Sequence, residues 1–290
     1  MSELPRVPVG DWFSDAVDWT DANLSPMLDA VDTVIETSVT TLVDGFDVVP
    51  PLVLAVALAA LGLALRGWRF GAFSLLGLAL VQSMGLWGPA TDSLALIVVA
   101  SGCAMIAALP LGILAARNDV ASRIIRPAMD LMQTMPAFVY LIPTLFFFSV
   151  GIVPGVVATI VFAMPPGVRL TELGIRQVDP EMVEAGHAFG APPLQILTKV
   201  QIPLAMPTIM AGVNQVIMLS LSMVVIAGMV GAGGLGGIVY EGVTRLQLSK
   251  GFEGGLAVVI LAVYLDRLTG ALAARSSVAR ALQQTSGAAL

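Results

Sequence analysis

The chain has 290 residues, of which 57% are hydrophobic and only 12% charged, with a mean hydropathy of +0.90. An ordinary soluble domain carries roughly 25% charged residues, so a water-soluble core of this size is excluded and the class is a polytopic membrane protein. The net charge of −6 argues against a nucleic-acid partner, and a single cysteine, Cys103, excludes an intrachain disulfide and a cysteine metal cluster.

Residues 1–47 hold ten acidic side chains and one basic one, Arg6. No apolar run there has the form of a cleavable secretory signal, and the acidity disfavours anionic lipid headgroups. Ser25-Pro26 reads as a helix start, an N-cap followed by proline at the first helical position. Leu24, Leu28, Val31, Ile35, Val39, Leu42 and Phe46 then recur at three- and four-residue steps. This spacing predicts an amphipathic helix, lying on the outer face of the membrane or on the protein's own external loops.

Apolar runs able to cross about 30 Å of hydrocarbon, at about 1.5 Å per residue, are read next. They fall near 48–65, 70–87, 92–116, 129–150, 152–170, 204–230 and 254–272. The expected fold is therefore an all-α polytopic membrane protein with about seven transmembrane helices. Pro136 and Pro143 interrupt the fourth run, Pro165 and Pro166 the fifth, and only residues 151–155 separate the two. With the N-terminus outside and the C-terminus cytoplasmic, eleven lysines and arginines fall in cytoplasmic segments and only Arg6, Arg245 and Lys250 outside. Positive charge inside selects that orientation.

A polar island separates the fifth and sixth runs. Asp179-Pro180 offers a cap and a first-turn proline, predicting a helix over 181–189 that Gly190 ends at positive φ. Ala191-Pro192-Pro193 forces a bend, and a second helix over 194–202 runs into Pro203. Glu184 supplies a charge, while Ala185 and Gly186 keep one face flat enough for a partner to approach closely.

Other motifs reduce to structure. Residues 231–236 match G-x-G-x-x-G as a string but follow a membrane helix instead of a strand and lack a lysine–serine pair; they read as a close-packed turn. His187, the only histidine, reads as a surface helix residue. No catalytic constellation is legible. Asp92, Asp130 and Asp266 fall near span ends, where solvation explains them. Proton- or sodium-driven carriers usually keep ionisable groups near the midplane, so an energy source outside the chain is expected. An ion-coupled carrier or channel acting alone is the alternative.

The island resembles the EAA loop of bacterial ABC-importer permeases, whose pattern is E-A-A, three residues, G, nine residues, I-x-L-P. Glu184, Ala185, Gly190 and Pro203 match by identity and spacing; Gly186 replaces the second alanine, and Val200 and Ile202 stand in for the isoleucine and leucine. Residues 133–143, 163–166, 201–215, 221–227 and 265–269 extend the resemblance to the glycine betaine/proline betaine branch, as does the acidic N-terminal extension. The resemblance implies a type I importer permease that couples through Glu184, Ala185, Gly186, Gly190, Val200, Ile202 and Pro203 to an ABC ATPase subunit present in two copies. It also implies a second copy of this chain and a periplasmic substrate-binding protein in a bacterial inner membrane. ATP and Mg would sit on the ATPase, no cofactor would be bound by this chain, and its remaining partner would be membrane lipid. The solute would be a betaine-like methylated amine, chosen mostly by the binding protein, where aromatic boxes hold quaternary ammonium groups.

Candidate pathway residues are Gln133, Thr134, Met135, Asn214, Gln215, Ser220, Ser222 and Met223, which suit polar packing between helices equally well. The expected division is an external acidic tail (1–47), two peripheral transmembrane helices (48–87), a permease core (88–275) with its cytoplasmic coupling loop (171–203), and a cytoplasmic tail (276–290).

Overall fold

A computed structural model describes residues 7–274, and every regular element among them is helical. In chain order these are α1 (Val9–Asp47), α2 (Pro51–Arg66), α3 (Trp68–Ser83), α4 (Trp87–Arg117), α5 (Asp119–Thr134), a 3-10 turn (Ala137–Tyr140) and α6 (Leu141–Phe148). Then follow α7 (Ile152–Arg176), α8 (Pro180–Ala188), α9 (Pro193–Ile196), a π-helical turn (Leu197–Gln201), α10 (Ile202–Met229), α11 (Gly234–Thr244) and α12 (Leu248–Ala274). The expected tail over 276–290 lies outside the described residues.

The centre of the bundle is α4, α7 and α10. Ala100, Ala104, Ala108 and Ala115 form a fully buried stripe on α4, matched by Ala158, Thr159 and Ala163 on α7 and Val216 on α10. Small residues let helix backbones approach closely, which is how helices associate where lipid supplies no hydrophobic drive. Helix ends sort onto two sides. On one, Ser93 Oγ accepts from the Leu235 N–H (2.8 Å) and the Gly151 N–H donates to the Val230 carbonyl (3.0 Å). On the other lie the C-terminal ends of α4 and α7 and the start of α5, joined by Arg176 to the Ala115 carbonyl and the Asp119 carboxylate.

Among the described residues four helices are long and apolar enough to cross a membrane: Trp87–Arg117, Ile152–Arg176, Pro193–Met229 and Leu248–Leu272. The count rises to six if each of two bent helix pairs forms one crossing. Two expectations change here. The runs at 48–65 and 70–87 form helices of 16 residues each, about 24 Å long and short of a full hydrocarbon core. The run at 129–150 is not one helix, because α5 and the segment Ala137–Phe148 meet at 108°. Pro136 explains the break: it excludes the preceding residue from helical geometry, and Met135 is extended (φ −72°, ψ 133°).

The amphipathic helix is longer than its Ser25-Pro26 signal suggests. α1 passes through Pro26 and begins at Val9; Ala22, whose carbonyl loses its intrahelical partner, is exposed. Its apolar stripe rests on the protein itself. Ile35 and Val39 are buried against Ala95, Leu96, Val99 and Ala100 of α4 and Val153 and Val156 of α7. The glycine run between α10 and α11 is the tight turn expected, with Gly231, Gly233 and Gly234 at positive φ.

Candidate functional site: a docking hairpin joined to the longest membrane helix

The polar island folds as a hairpin whose ends are set by local chemistry. Asp179 Oδ1 accepts from the Glu181 N–H (2.9 Å), capping α8 behind Pro180. At the other end Gly190 takes φ +73°, the Ala191 N–H donates to the Gly186 carbonyl (3.1 Å) and the Gly190 N–H to the His187 carbonyl (2.9 Å). These paired bonds are a Schellman closure, which a left-handed residue makes possible.

One face of α8 is pinned. Val183 packs on a buried cluster of Ile175, Val178, Leu197, Ala205 and Ile209. Gly186 lies against Ile196, where a Cβ would stand 3.2 Å from Ile196 Cγ1. The opposite face is free: Glu181, Met182, Glu184, Ala185 and His187 are exposed, and Phe189 is 91% exposed. The free face is charged and flat and ends in a bare phenyl ring. Phe189 was not singled out from sequence; its signal was a large apolar residue at the end of an otherwise polar helix.

The second arm differs from the expected separate helix. α9, the π turn and α10 form one helix, Pro193–Met229, of 37 residues. Pro203 has no N–H for the Lys199 carbonyl, and the ladder widens in the turn just before it. Val200, Ile202 and Pro203 are half-buried there. The second arm of the hairpin is therefore continuous with a membrane helix, without an intervening loop. A groove of about 440 Å³ beside the hairpin is lined by Arg117, Arg176, Val183, Glu184, His187 and Gln201, among others.

A buried carboxylate anchors the base of this assembly. Glu172, with its side chain 4% exposed, accepts from Ser122 Oγ (2.7 Å) and from Arg126 Nε (3.2 Å) and Nη2 (2.9 Å), and forms an ion pair with Arg176 (Nε at 3.0 Å). Two helices, α5 and α7, are thus tied through one side chain. Replacing it leaves a buried hydroxyl and an unpaired Arg126 guanidinium, which is 58% exposed and can rehydrate, while Arg176 keeps Asp119 and the Ala115 carbonyl. Glu172→Ala should therefore lower stability by about 2–3 kcal/mol, somewhat below the loss for a fully buried pair. Thermal unfolding of the purified protein checks this, with Glu172→Gln expected between the two.

The pathway candidates divide. Gln133 and Thr134 are exposed at the end of α5, and Gln215 and Ser222 lie on an exposed α10 stripe with Ala211, Met218 and Met229. Met223 is fully buried and Ser220 gives its hydroxyl to the Val216 carbonyl inside the bundle, so these two face the interior of the bundle. Met135 joins Met223 in one apolar cluster with Tyr140 and Val230. Asn214 donates to Asp266 Oδ1 (3.1 Å) and accepts from Thr269 Oγ1 (2.6 Å). Asp266, which the sequence placed near a span end, is also the partner of a mid-helix asparagine.

Comparison with known proteins adds to this geometry. Residues 108–278 match the family described as binding-protein-dependent transport system inner membrane component. The chain is 45% identical over 269 residues to the glycine betaine transport system permease protein OpuAB of Bacillus subtilis, covering 93% of this chain and 95% of that one. It is 44% identical over 270 residues to the glycine betaine/proline betaine permease ProW of Escherichia coli, covering 92% and 75%. The glycine betaine/carnitine permease GbuB of Listeria monocytogenes is 44% identical over 275 residues, covering 93% and 97%. Among solved structures, an inward-facing MetNI methionine ABC transporter superposes with TM-score 0.61 at 22% identity, covering 66% of this chain and 96% of that one; it shares the fold. The chain is a member of the family of inner membrane components of binding-protein-dependent transport systems.

Proposed function

We propose that this chain is the permease subunit of an ATP-driven importer that moves a betaine-like methylated amine across the inner membrane. The observation that carries the reading is the hairpin of α8 and α9, exposed on one face and continuous with α10. Such a part has a use only if something grips the exposed face and moves. The gripping partner in this reading is an ABC ATPase, two copies per complex, holding ATP and Mg. Glu184 and Ala185 meet it, Gly186 lets α8 sit close on Ile196, Gly190 fixes the hairpin, and Val200, Ile202 and Pro203 pass the motion to α10. The permease itself performs no chemistry on the solute.

Two copies of the chain, an external N-terminus and a cytoplasmic C-terminus complete the reading; its seven crossings would require α2 and α3 to cross separately as short helices and the bent α5–α6 segment to cross once, in addition to the four long helices. Residues 1–47 would lie outside, 48–87 at the periphery and 88–275 in the core, with 171–203 as the coupling loop and 276–290 as a cytoplasmic tail. Distribution of lysine and arginine supports the orientation. The named relatives support the solute class, since they are permeases for glycine betaine, proline betaine, carnitine and, at 39% identity, trimethylamine N-oxide. A periplasmic binding protein would deliver the solute, and Gln133, Thr134, Gln215 and Ser222, exposed in the single chain, are its first candidates for the pathway wall.

Uptake of labelled glycine betaine by cells expressing the whole transporter, in competition with choline, carnitine and trimethylamine N-oxide, tests the solute class. At least one of the four should be taken up and should compete. Absence of uptake and competition for all four, in cells where the complex is assembled, contradicts the proposal.

A further inference from the structure

A groove of about 350 Å³ runs between α10 and α12. Its walls include Met218 and Ser222 from α10 and Ala262, Val263, Asp266 and Arg267 from α12. Two features set it apart from an ordinary lipid-facing crevice. It contains both signs of charge, and the negative one is positioned. The Asn214 amide donates to Asp266 Oδ1 (3.1 Å), while Thr269 Oγ1 holds the Asn214 carbonyl oxygen (2.6 Å) and so directs the NH2 group toward the carboxylate. Asp266 Oδ2 faces Arg267 Nε at 3.7 Å, beyond hydrogen-bond range, with the two side chains 37% and 51% exposed. The pair is loose, and both groups keep capacity for another partner.

Charged groups within membrane helices are expensive and mark ion or substrate paths. The ligand that this groove fits can be read from its chemistry. A quaternary ammonium group has no N–H to donate, so it is held by a negative charge together with soft, apolar contacts around its methyl groups. Asp266 supplies the charge, and Ala262, Val263 and the Met218 thioether supply the walls. Arg267 remains for a carboxylate at the other end of the same small molecule. Among the described residues no aromatic side chain lines the groove, so they supply no cation–π cage of the kind that makes a tight site, and weak binding suits conduction.

We propose that Asp266, oriented by Asn214 and Thr269, forms with Arg267 a transient station for a zwitterionic methylated amine in the translocation path. This deepens the function proposed above and rests on it. The test uses the complete transporter in nanodiscs, with Cys103→Ser and Val263→Cys. Two thiol reagents are compared, a trimethylammonium methanethiosulfonate and its sulfonate analogue. With each rate divided by that of the same reagent on a free small thiol, the cationic reagent should be favoured roughly tenfold, glycine betaine should slow it, and Asp266→Asn should remove this excess preference. Failure of both reagents to reach Val263→Cys means that lipid or protein covers the groove, and equal, unprotected rates mean that it has no ligand preference. Either overturns the station. Measuring ATP-driven uptake by the unlabelled Val263→Cys transporter separates the two readings: uptake without labelling removes only the station, whereas absence of ATP-driven uptake in the parent transporter removes the function on which it rests.

Discussion

Gly236→Ala should prevent this protein from reaching its folded state. A Cβ at Gly236 would stand 2.0 Å from the Val224 carbonyl oxygen and 2.7 Å from its carbon, and one at the facing Gly228 would stand 2.3 Å from the Gly236 carbonyl carbon. All of these are backbone atoms of packed helices, so no flexible side chain can yield. The backbones of α10 and α11 must separate, which opens the site of fully buried Leu235 and strains the bond from its N–H to Ser93 Oγ (2.8 Å). Overpacking of this kind costs on the order of 3 kcal/mol or more, far above the roughly 1 kcal/mol that alanine gains over glycine in helix propensity. The neighbouring Gly237 is the control, because a Cβ there meets nothing within 4 Å. Size-exclusion profiles and thermal unfolding of the two variants should differ sharply: Gly237→Ala monodisperse and at least as stable as the parent, Gly236→Ala aggregated or absent. Similar profiles would mean that the α10–α11 contact is looser than described.

The second large effect concerns coupling. Gly190 sits at φ +73° with open space around its Cα, so a larger residue there strains the backbone without disturbing the membrane core. Valine in the left-handed region costs about 1–2 kcal/mol, and relief of that strain would unwind the Schellman closure and tilt α8. Combined with Glu184→Ala on the exposed face, the change should cut uptake at least tenfold, since about 1.4 kcal/mol is a factor of ten. The amount of the chain in the membrane should stay constant. Uptake in vesicles, beside the ratio of ATPase to permease recovered on purification, distinguishes lost docking from uncoupled docking. A double variant that transports at the parent rate would show that the hairpin is not the coupling element.

How much of this was legible beforehand depended on the range of the interaction. The hairpin was, because its determinants are local: Asp179 caps two residues on, Pro180 fixes a φ, and Gly190 alone tolerates the conformation that ends α8. Pro136 also carried its message locally, yet hydropathy over 129–150 obscured it, since an apolar run reports composition without direction. The polar side chains of α5, among them Ser122, Arg126 and Asp130, were the clue that this helix is not lipid-covered all round. Pro26 misled for the opposite reason: the packing of Ile35 and Val39 fixes only the later part of α1, and an exposed proline can be carried in its earlier part. Long-range partners were beyond reach. Glu172 sits four residues before Arg176, but Ser122 and Arg126 reach it from another helix. The pairing of Asp266 with Asn214 across α10 and α12 likewise needs the fold before it can be seen.

The proposed function requires energy to enter from outside the chain through residues 184–203. The most direct measurement is uptake of labelled glycine betaine into proteoliposomes, comparing the purified permease alone with the permease assembled with its ATPase and binding protein. The prediction is uptake only in the assembled complex and only with ATP, with no accumulation by the permease alone under an imposed proton or sodium gradient. Gradient-driven accumulation by the permease alone would contradict it.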